Sequence, residues 1–131
     1  MAEHRNPYKG RPPRPWIRIV LLADGGETLQ LDAFADTGNP CALIVSSQAM
    51  DRFNLGLTPG MDTNFGRLEG GWLRVQIPEL RFDEDVLAYA GDAIIQAAQA
   101  SPQDFTALAG LPLLSLMEYG GNNESFWLRN A

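Results

Sequence analysis

Between Glu27 and Asp36 every second residue from Leu29 onward is apolar, and this alternation constrains the fold more than any other part of the chain. A period of two is typical of a β-strand with one buried face. The apolar parity holds Leu29, Leu31, Ala33 and Ala35, and the other parity holds Gln30, Asp32, Phe34 and Asp36. The strand must end at Thr37-Gly38-Asn39-Pro40, because glycine and proline do not continue a central strand. The pattern therefore predicts that Asp36 lies at the carboxyl end of a half-buried strand.

Other segments share the β pattern. Residues 16–22 are apolar and rich in β-branched side chains, and Asp24-Gly25-Gly26 predicts a hairpin turn that pairs this run antiparallel with residues 27–36. Shorter strands are predicted at residues 42–45, 80–82, 86–90 and 125–129. A chain with this many short strands is expected to form a mainly β domain.

Glycine and acidic residues predict the remaining turns. A second hairpin is predicted with strands at residues 65–68 and 72–77 and with its tip at Glu69-Gly70-Gly71. Pro59-Gly60 and the acidic run Asp83-Glu84-Asp85 are interpreted as further turns.

Helices are predicted in two places. Ser46 or Ser47 is a suitable N-cap for a short helix that runs through Phe53. Pro112 suits the first turn of another short helix near the carboxyl terminus. Residues 93–100 fit a strand and a helix equally well.

The first fifteen residues differ from the rest of the chain. They hold four prolines, and their four basic side chains and Glu3 give a net charge of +3. Because the whole chain has a net charge of -6, residues 16–131 carry a net charge of -9. Proline at this density favours an extended, solvated arm. We therefore expect residues 1–15 to be a disordered Pro/Arg-rich arm and residues 16–131 to be one folded domain.

The chain has one histidine, one lysine and one cysteine, and this scarcity argues against many kinds of catalytic and metal site. His4 and Lys9 are the only histidine and the only lysine, and both lie in the predicted arm, which argues against Ser-His and Cys-His catalysis, Schiff bases and P-loops. With Cys41 as the only cysteine, zinc clusters and intrachain disulfides are not expected either. The acidic body argues against nucleic acid as a partner, and no apolar segment is long enough to span a bilayer. We expect a cytoplasmic protein without cofactor or metal, in which carboxylates perform any acid–base chemistry.

Two motifs resemble those of a known family. Residues 31–46, LDAFADTGNPCALIVS, place Asp-Thr-Gly between two apolar strands, and residues 108–114, LAGLPLL, lead from a glycine into a leucine-rich helix. Together they resemble the single-domain, retropepsin-like aspartic peptidases. The resemblance spans most of residues 16–130 in the order that the family shows, with the last predicted strand at residues 125–129.

The resemblance implies a fold and a function. The fold would be all-β, a small closed barrel-like acid-protease domain with one short C-terminal helix. Asp36 would be catalytic, and Thr37 and Gly38 would support the active-site loop. Because the chain has one Asp-Thr-Gly, a carboxylate pair requires a homodimer, which would hydrolyse a peptide or protein substrate. The predicted hairpin tip, residues Glu69, Gly70, Gly71 and Trp72, would act as the flap over the substrate.

Other interpretations stay open. Asp36 also fits an ordinary turn aspartate that ends a strand, and Gly70-Gly71 fits an ordinary hairpin turn. A catalytically silent domain of the same fold, acting as a dimerisation or peptide-binding module, would have the same sequence pattern. A carboxylate glycosidase is disfavoured, because no second carboxylate is placed to oppose Asp36 across a sugar.

Overall fold

A computed structural model describes residues 2–98 and 105–131, and strands make up 54% of these described residues. The strands of the described residues are β1 (Glu3–Pro7), β2 (Trp16–Leu22), β3 (Thr28–Asp36), β4 (Leu43–Val45), β5 (Leu57–Thr63), β6 (Gly66–Ile77), β7 (Phe82–Ala90), β8 (Ala107–Gly110), β9 (Glu118–Gly121) and β10 (Ser125–Arg129). The helices are α1 (Ser47–Phe53), α2 (Asp92–Ala98) and α3 (Leu111–Leu114), and a 3-10 turn, η1, spans Pro78–Leu80.

Within the described residues, six strands close into a barrel. They follow the order β2, β3, β8, β4, β7 and β6, and β6 pairs with β2 to complete the ring. β5 lies outside the ring and pairs only with β6 among the described strands, so the β5–β6 hairpin projects from the barrel. A separate sheet of β1, β10 and β9 adjoins it. The β character and the closed barrel agree with the predicted fold class.

The barrel interior confirms the period-two pattern from Leu31 to Ala35, whereas Leu29 of the same face is exposed. Leu31, Ala33 and Ala35 of β3 are buried in the core together with Ile17, Ile19 and Leu21 of β2 and Leu73, Val75 and Ile77 of β6. Burial of each leucine, isoleucine or valine side chain contributes about 2 kcal/mol to folding. The antiparallel register joins Ile19 to Leu31 across the predicted turn, where Gly26 adopts a φ of +92°.

The helix at residues 47–53 also forms as predicted. The Ser46 hydroxyl accepts a hydrogen bond from the Ala49 N–H at 3.1 Å, which caps α1, and Ala49, Met50 and Phe53 are buried. Pro112 lies in the first turn of α3. The fold class with one short C-terminal helix was incomplete, because it left out α1, which the serine cap predicts, and α2. The ambiguous segment is helical as far as Ala98, and its residues 99 and 100 lie outside the described residues.

The structure differs from the prediction of a disordered arm at residues 1–15. Residues 3–7 form β1, which pairs antiparallel with β10 from Glu3↔Arg129 to Pro7↔Ser125. The Pro7 carbonyl also accepts a hydrogen bond from Trp16 Nε1 at 2.7 Å. Proline is tolerated there because Pro7 is the last residue of an edge strand.

The acidic run at residues 83–85 lies inside β7 and does not form a turn. Arg74 on the adjacent β6 binds Asp83 Oδ1 at 2.6 Å and Asp85 Oδ1 at 3.2 Å. These cross-strand ion pairs let an acidic sequence remain extended. Among the described residues, no helix combines the length and the apolar character needed to cross a bilayer.

Candidate functional site

Asp36 is the last residue of β3, as the alternating pattern predicts. β3 runs parallel to β8, and Asp36 stands opposite Gly110 in the register. The preceding pair, Ala35 and Ala109, is buried in the core, whereas Asp36 is half-buried and Thr37 and Gly38 are exposed. The barrel therefore carries the Asp36 carboxylate to its rim on a rigid strand, with the next two residues open to solvent.

Hydrogen bonds fix the turn that follows Asp36. The Gly38 N–H donates to Asp36 Oδ1 at 3.1 Å, and the Asn39 N–H donates to the Asp36 carbonyl at 3.0 Å. The buried Asn39 side chain accepts from the Cys41 N–H through Oδ1 at 3.0 Å. These bonds hold the carboxylate against its own loop.

The second motif packs directly against this loop. The Gly110 N–H donates to the Ala42 carbonyl at 3.0 Å, and the Leu111 N–H donates to the Asn39 carbonyl at 3.1 Å. A Cβ at position 110 would lie 1.8 Å from the Cys41 carbonyl oxygen, a distance that no real side chain tolerates. Only glycine fits here, and its close approach braces the Asp36 loop from behind.

An outer apolar cluster borders the loop on the same side of the sheet as Asp36. Phe34 has the parity of Asp36 on β3 and points away from the barrel core. The outer cluster consists of buried Cys41, Ile44, Ile95 and Leu108, flanked by Phe34, Met61, Tyr89, Ile94 and Ala98. Since Met61 belongs to β5, the β5–β6 hairpin and the strand that bears Asp36 meet across one apolar surface.

The predicted flap tip was wrong. Glu69, Gly70, Gly71 and Trp72 lie inside β6, where they pair with β7 from Glu69↔Ala90 to Trp72↔Leu87. Gly70 and Gly71 do not make a turn. Neighbouring atoms leave too little room for a Cβ at either position. A Cβ at Gly70 would lie 2.4 Å from Thr58 Oγ1, and a Cβ at Gly71 would lie 2.7 Å from Met50 Sδ.

The tip of the hairpin lies instead between Thr63 and Gly66. Gly66 has a φ of +97°, and the Thr63 hydroxyl both donates to the Gly66 carbonyl at 2.8 Å and accepts from the Phe65 N–H at 3.0 Å. Phe65 is 54% exposed at this tip. The signal in the sequence was Asn64 followed two residues later by Gly66, between two runs able to pair, and the Gly70-Gly71 pair obscured it.

Asp32 lies on the same face of β3 as Asp36 but is bound by two basic side chains. Lys9 Nζ lies 3.0 Å from Asp32 Oδ2, and Arg18 Nε lies 2.8 Å from Asp32 Oδ1. Burial alone would raise the pKa of Asp32, but the hydrogen bonds from Arg18 and Lys9 outweigh burial and hold the pKa below its ordinary value. Asp32 therefore stays ionised and is poorly suited to donate a proton.

Asp36 forms no salt bridge within the part of the chain that the structure describes. The two carboxylates of β3 are four residues apart, about 13 Å along a strand. Asp32 and Asp36 thus cannot share a proton within one chain, since a shared proton needs oxygens about 3 Å apart. No family model, curated protein or solved structure was found to match this chain.

Proposed function

We propose that the protein is a retropepsin-like aspartic endopeptidase, and that each chain supplies half of the active site. The support is the packing around the Asp36 loop. The carboxylate at the end of β3 accepts a hydrogen bond from the Gly38 N–H, and Gly110 lies so close behind the loop that no residue with a Cβ fits there. A turn aspartate that merely ends a strand has no need of this second motif.

The chemistry requires a second Asp36 from another copy of the chain. Two carboxylates held about 3 Å apart share one proton, because both cannot ionise together at that distance. The ionised carboxylate takes a proton from a water molecule, which attacks the peptide carbonyl, and the protonated carboxylate donates to the developing oxyanion. A symmetric dimer with its axis beside Asp36 supplies both groups. Thr37 is exposed next to Asp36, where its hydroxyl is available to contact the partner's loop.

The β5–β6 hairpin is the element that we assign to cover the substrate. A peptide bound in extended form on the outer cluster would place its apolar side chains near Phe34, Met61 and Tyr89. The exposed Phe65 at the tip would then close over it and exclude water. The substrate is therefore a peptide or an unfolded segment of a protein. The reduced thiol of Cys41 suits a reducing compartment, and the cytoplasm is the location that we propose.

The test is cleavage of a peptide library, followed by mass spectrometry, with Asp36→Asn as the key variant. We expect wild-type activity to be greatest below neutral pH and to be blocked by a pepstatin-like inhibitor, and we expect Asp36→Asn to abolish it. Asp51→Asn is the matched control, because it removes the same charge from an exposed position on α1.

Two results would contradict the proposal. Cleavage that survives in Asp36→Asn would place the chemistry elsewhere. A wild-type protein that binds the library peptides without cleaving them would instead indicate the silent peptide-binding module.

A further inference from the structure

His4, the only histidine, is buried between three elements of the fold. It lies on β1, is 6% exposed and packs against β2 and η1. Its Nδ1 lies 3.2 Å from Glu79 Oε2 of η1, and its Nε2 receives the Arg18 N–H of β2 at 3.0 Å. One imidazole ring thus joins the N-terminal strand to the barrel.

The contacts determine which nitrogen carries the proton. The backbone N–H of Arg18 can only donate, so Nε2 must be the unprotonated acceptor. The Asn6 side-chain nitrogen also lies 3.1 Å from Nε2. The proton of the neutral ring is therefore on Nδ1, from which it points to the Glu79 carboxylate.

A second proton on the ring is incompatible with this arrangement. It would add an N–H at Nε2 that faces the Arg18 N–H, so two donors would oppose each other and the bond would be lost. Burial lowers the pKa of His4, the Glu79 carboxylate raises it, and the Arg18 guanidinium lowers it further, with a net shift below the ordinary value of 6.5. Glu3 and Arg5 have the opposite parity on β1 and do not face the ring.

We propose that the His4 contact makes the docking of β1 on the barrel depend on pH. The neutral ring stabilises the docked strand, and protonation of the ring destabilises it. The contact is fully formed above pH 6.5 and weakens as the pH falls from 6.5 towards the lower pKa of the folded state. Between these two pKa values, each pH unit changes the docking equilibrium of β1 by up to about tenfold. Loosening β1 uncovers one edge of β10, since β1 pairs along its whole length.

The first experiment is NMR of the imidazole nitrogens, which give one set of signals because the chain has one histidine. We expect the Nδ1–H tautomer at pH 8 and a titration midpoint below 6.5. An Nε2–H tautomer, or a midpoint at or above 6.5, would overturn the proposal.

The second experiment is hydrogen exchange between pH 7.5 and pH 5, corrected for the intrinsic rate. We expect the protection of residues 3–6 to fall with pH while the protection of β2 stays constant. Glu3, which joins Arg5 and Arg129 across β1 and β10, has its pKa lowered to about 2, so it does not titrate in this range.

Two variants separate protonation of His4 from general acid destabilisation. In His4→Gln, the amide oxygen can accept from the Arg18 N–H and the amide nitrogen can donate to Glu79, so the pH dependence of residues 3–6 should disappear. In Glu79→Gln, loss of the carboxylate that favours the charged ring should move the transition to lower pH; Glu79 is 54% exposed, so this variant keeps the fold. An unchanged pH dependence in either folded variant would contradict the role of His4. Because neither experiment involves Asp36, their outcome is independent of peptidase activity.

Discussion

At the scale of single residues, the glycines show why the site was only partly predictable. Gly26 and Gly66 are turn glycines with positive φ, whereas Gly70 and Gly110 have no positive φ and are required by crowding. A sequence shows the same letter in both cases, and the distinction depends on which backbone lies opposite. The resemblance singled out the segment that holds Gly110, which the structure places opposite Asp36, but the Gly70-Gly71 pair was misinterpreted as a turn.

Gly110→Ala provides a test of the bracing of the Asp36 loop. The added methyl group would overlap the Cys41 and Asn39 carbonyl oxygens, and the loop must shift to admit it. We expect a loss of about 2–3 kcal/mol in the free energy of unfolding, or roughly 8–12 °C in Tm, together with loss of peptidase activity. Calorimetry with Gly25→Ala as control decides the point, because a Cβ at Gly25 meets nothing within 4 Å. Equal Tm values for the two variants would show that the loop is not braced as described.

At the scale of strands and helices, prediction succeeded where the pairing partner is near in sequence. The β2–β3 hairpin and α1 follow from local patterns, namely parity, turn glycines and a serine cap. β1 was missed because its partner, β10, lies more than a hundred residues away and its own sequence has no apolar alternation. The acidic part of β7 was missed for a different reason: its partner Arg74 is only nine residues from Asp83, but an acidic run is typical of a turn and its ion pairs across the strands do not show in the local pattern.

The position of the hairpin tip yields a prediction about substrate binding. Phe65→Ser removes the exposed aromatic ring at the tip, so KM for a peptide substrate should rise about fivefold, equivalent to roughly 1 kcal/mol, with little change in Tm. Trp72→Ser is the matched control, because Trp72 is an exposed aromatic residue of the same hairpin, 44% exposed, but lies within β6. Steady-state kinetics distinguish the two, and a larger effect on KM from Trp72→Ser would restore the residue 69–72 segment as the flap.

At the scale of the whole molecule, one chain forms a closed barrel but only half of the proposed active site. The barrel closes through the β2–β6 pairing, so strands of one chain complete the ring. Dimer formation would then be a separate equilibrium, and Asp36 would act only in the associated form.

Dilution and mixing test this dependence. Activity per chain should fall when the protein is diluted below the dimer dissociation constant, as measured by cleavage rates alongside sedimentation. Adding Asp36→Asn protein to a fixed amount of wild type should also lower the rate, because mixed dimers hold one competent carboxylate. Activity that is proportional to wild-type concentration throughout, and unaffected by the variant, would assign catalysis to the monomer.

The parallel pairing of β3 with β8 also has a consequence for biosynthesis. Asp36 meets Gly110 only after more than seventy intervening residues have been made, and the β2–β6 closure joins Val20 to Gln76. Proteins dominated by pairings between such distant segments fold slowly, in about milliseconds to seconds. Until the eighth strand has been synthesised, a nascent chain therefore holds an unsupported Asp36 loop, so the proposed active site cannot be assembled before that point.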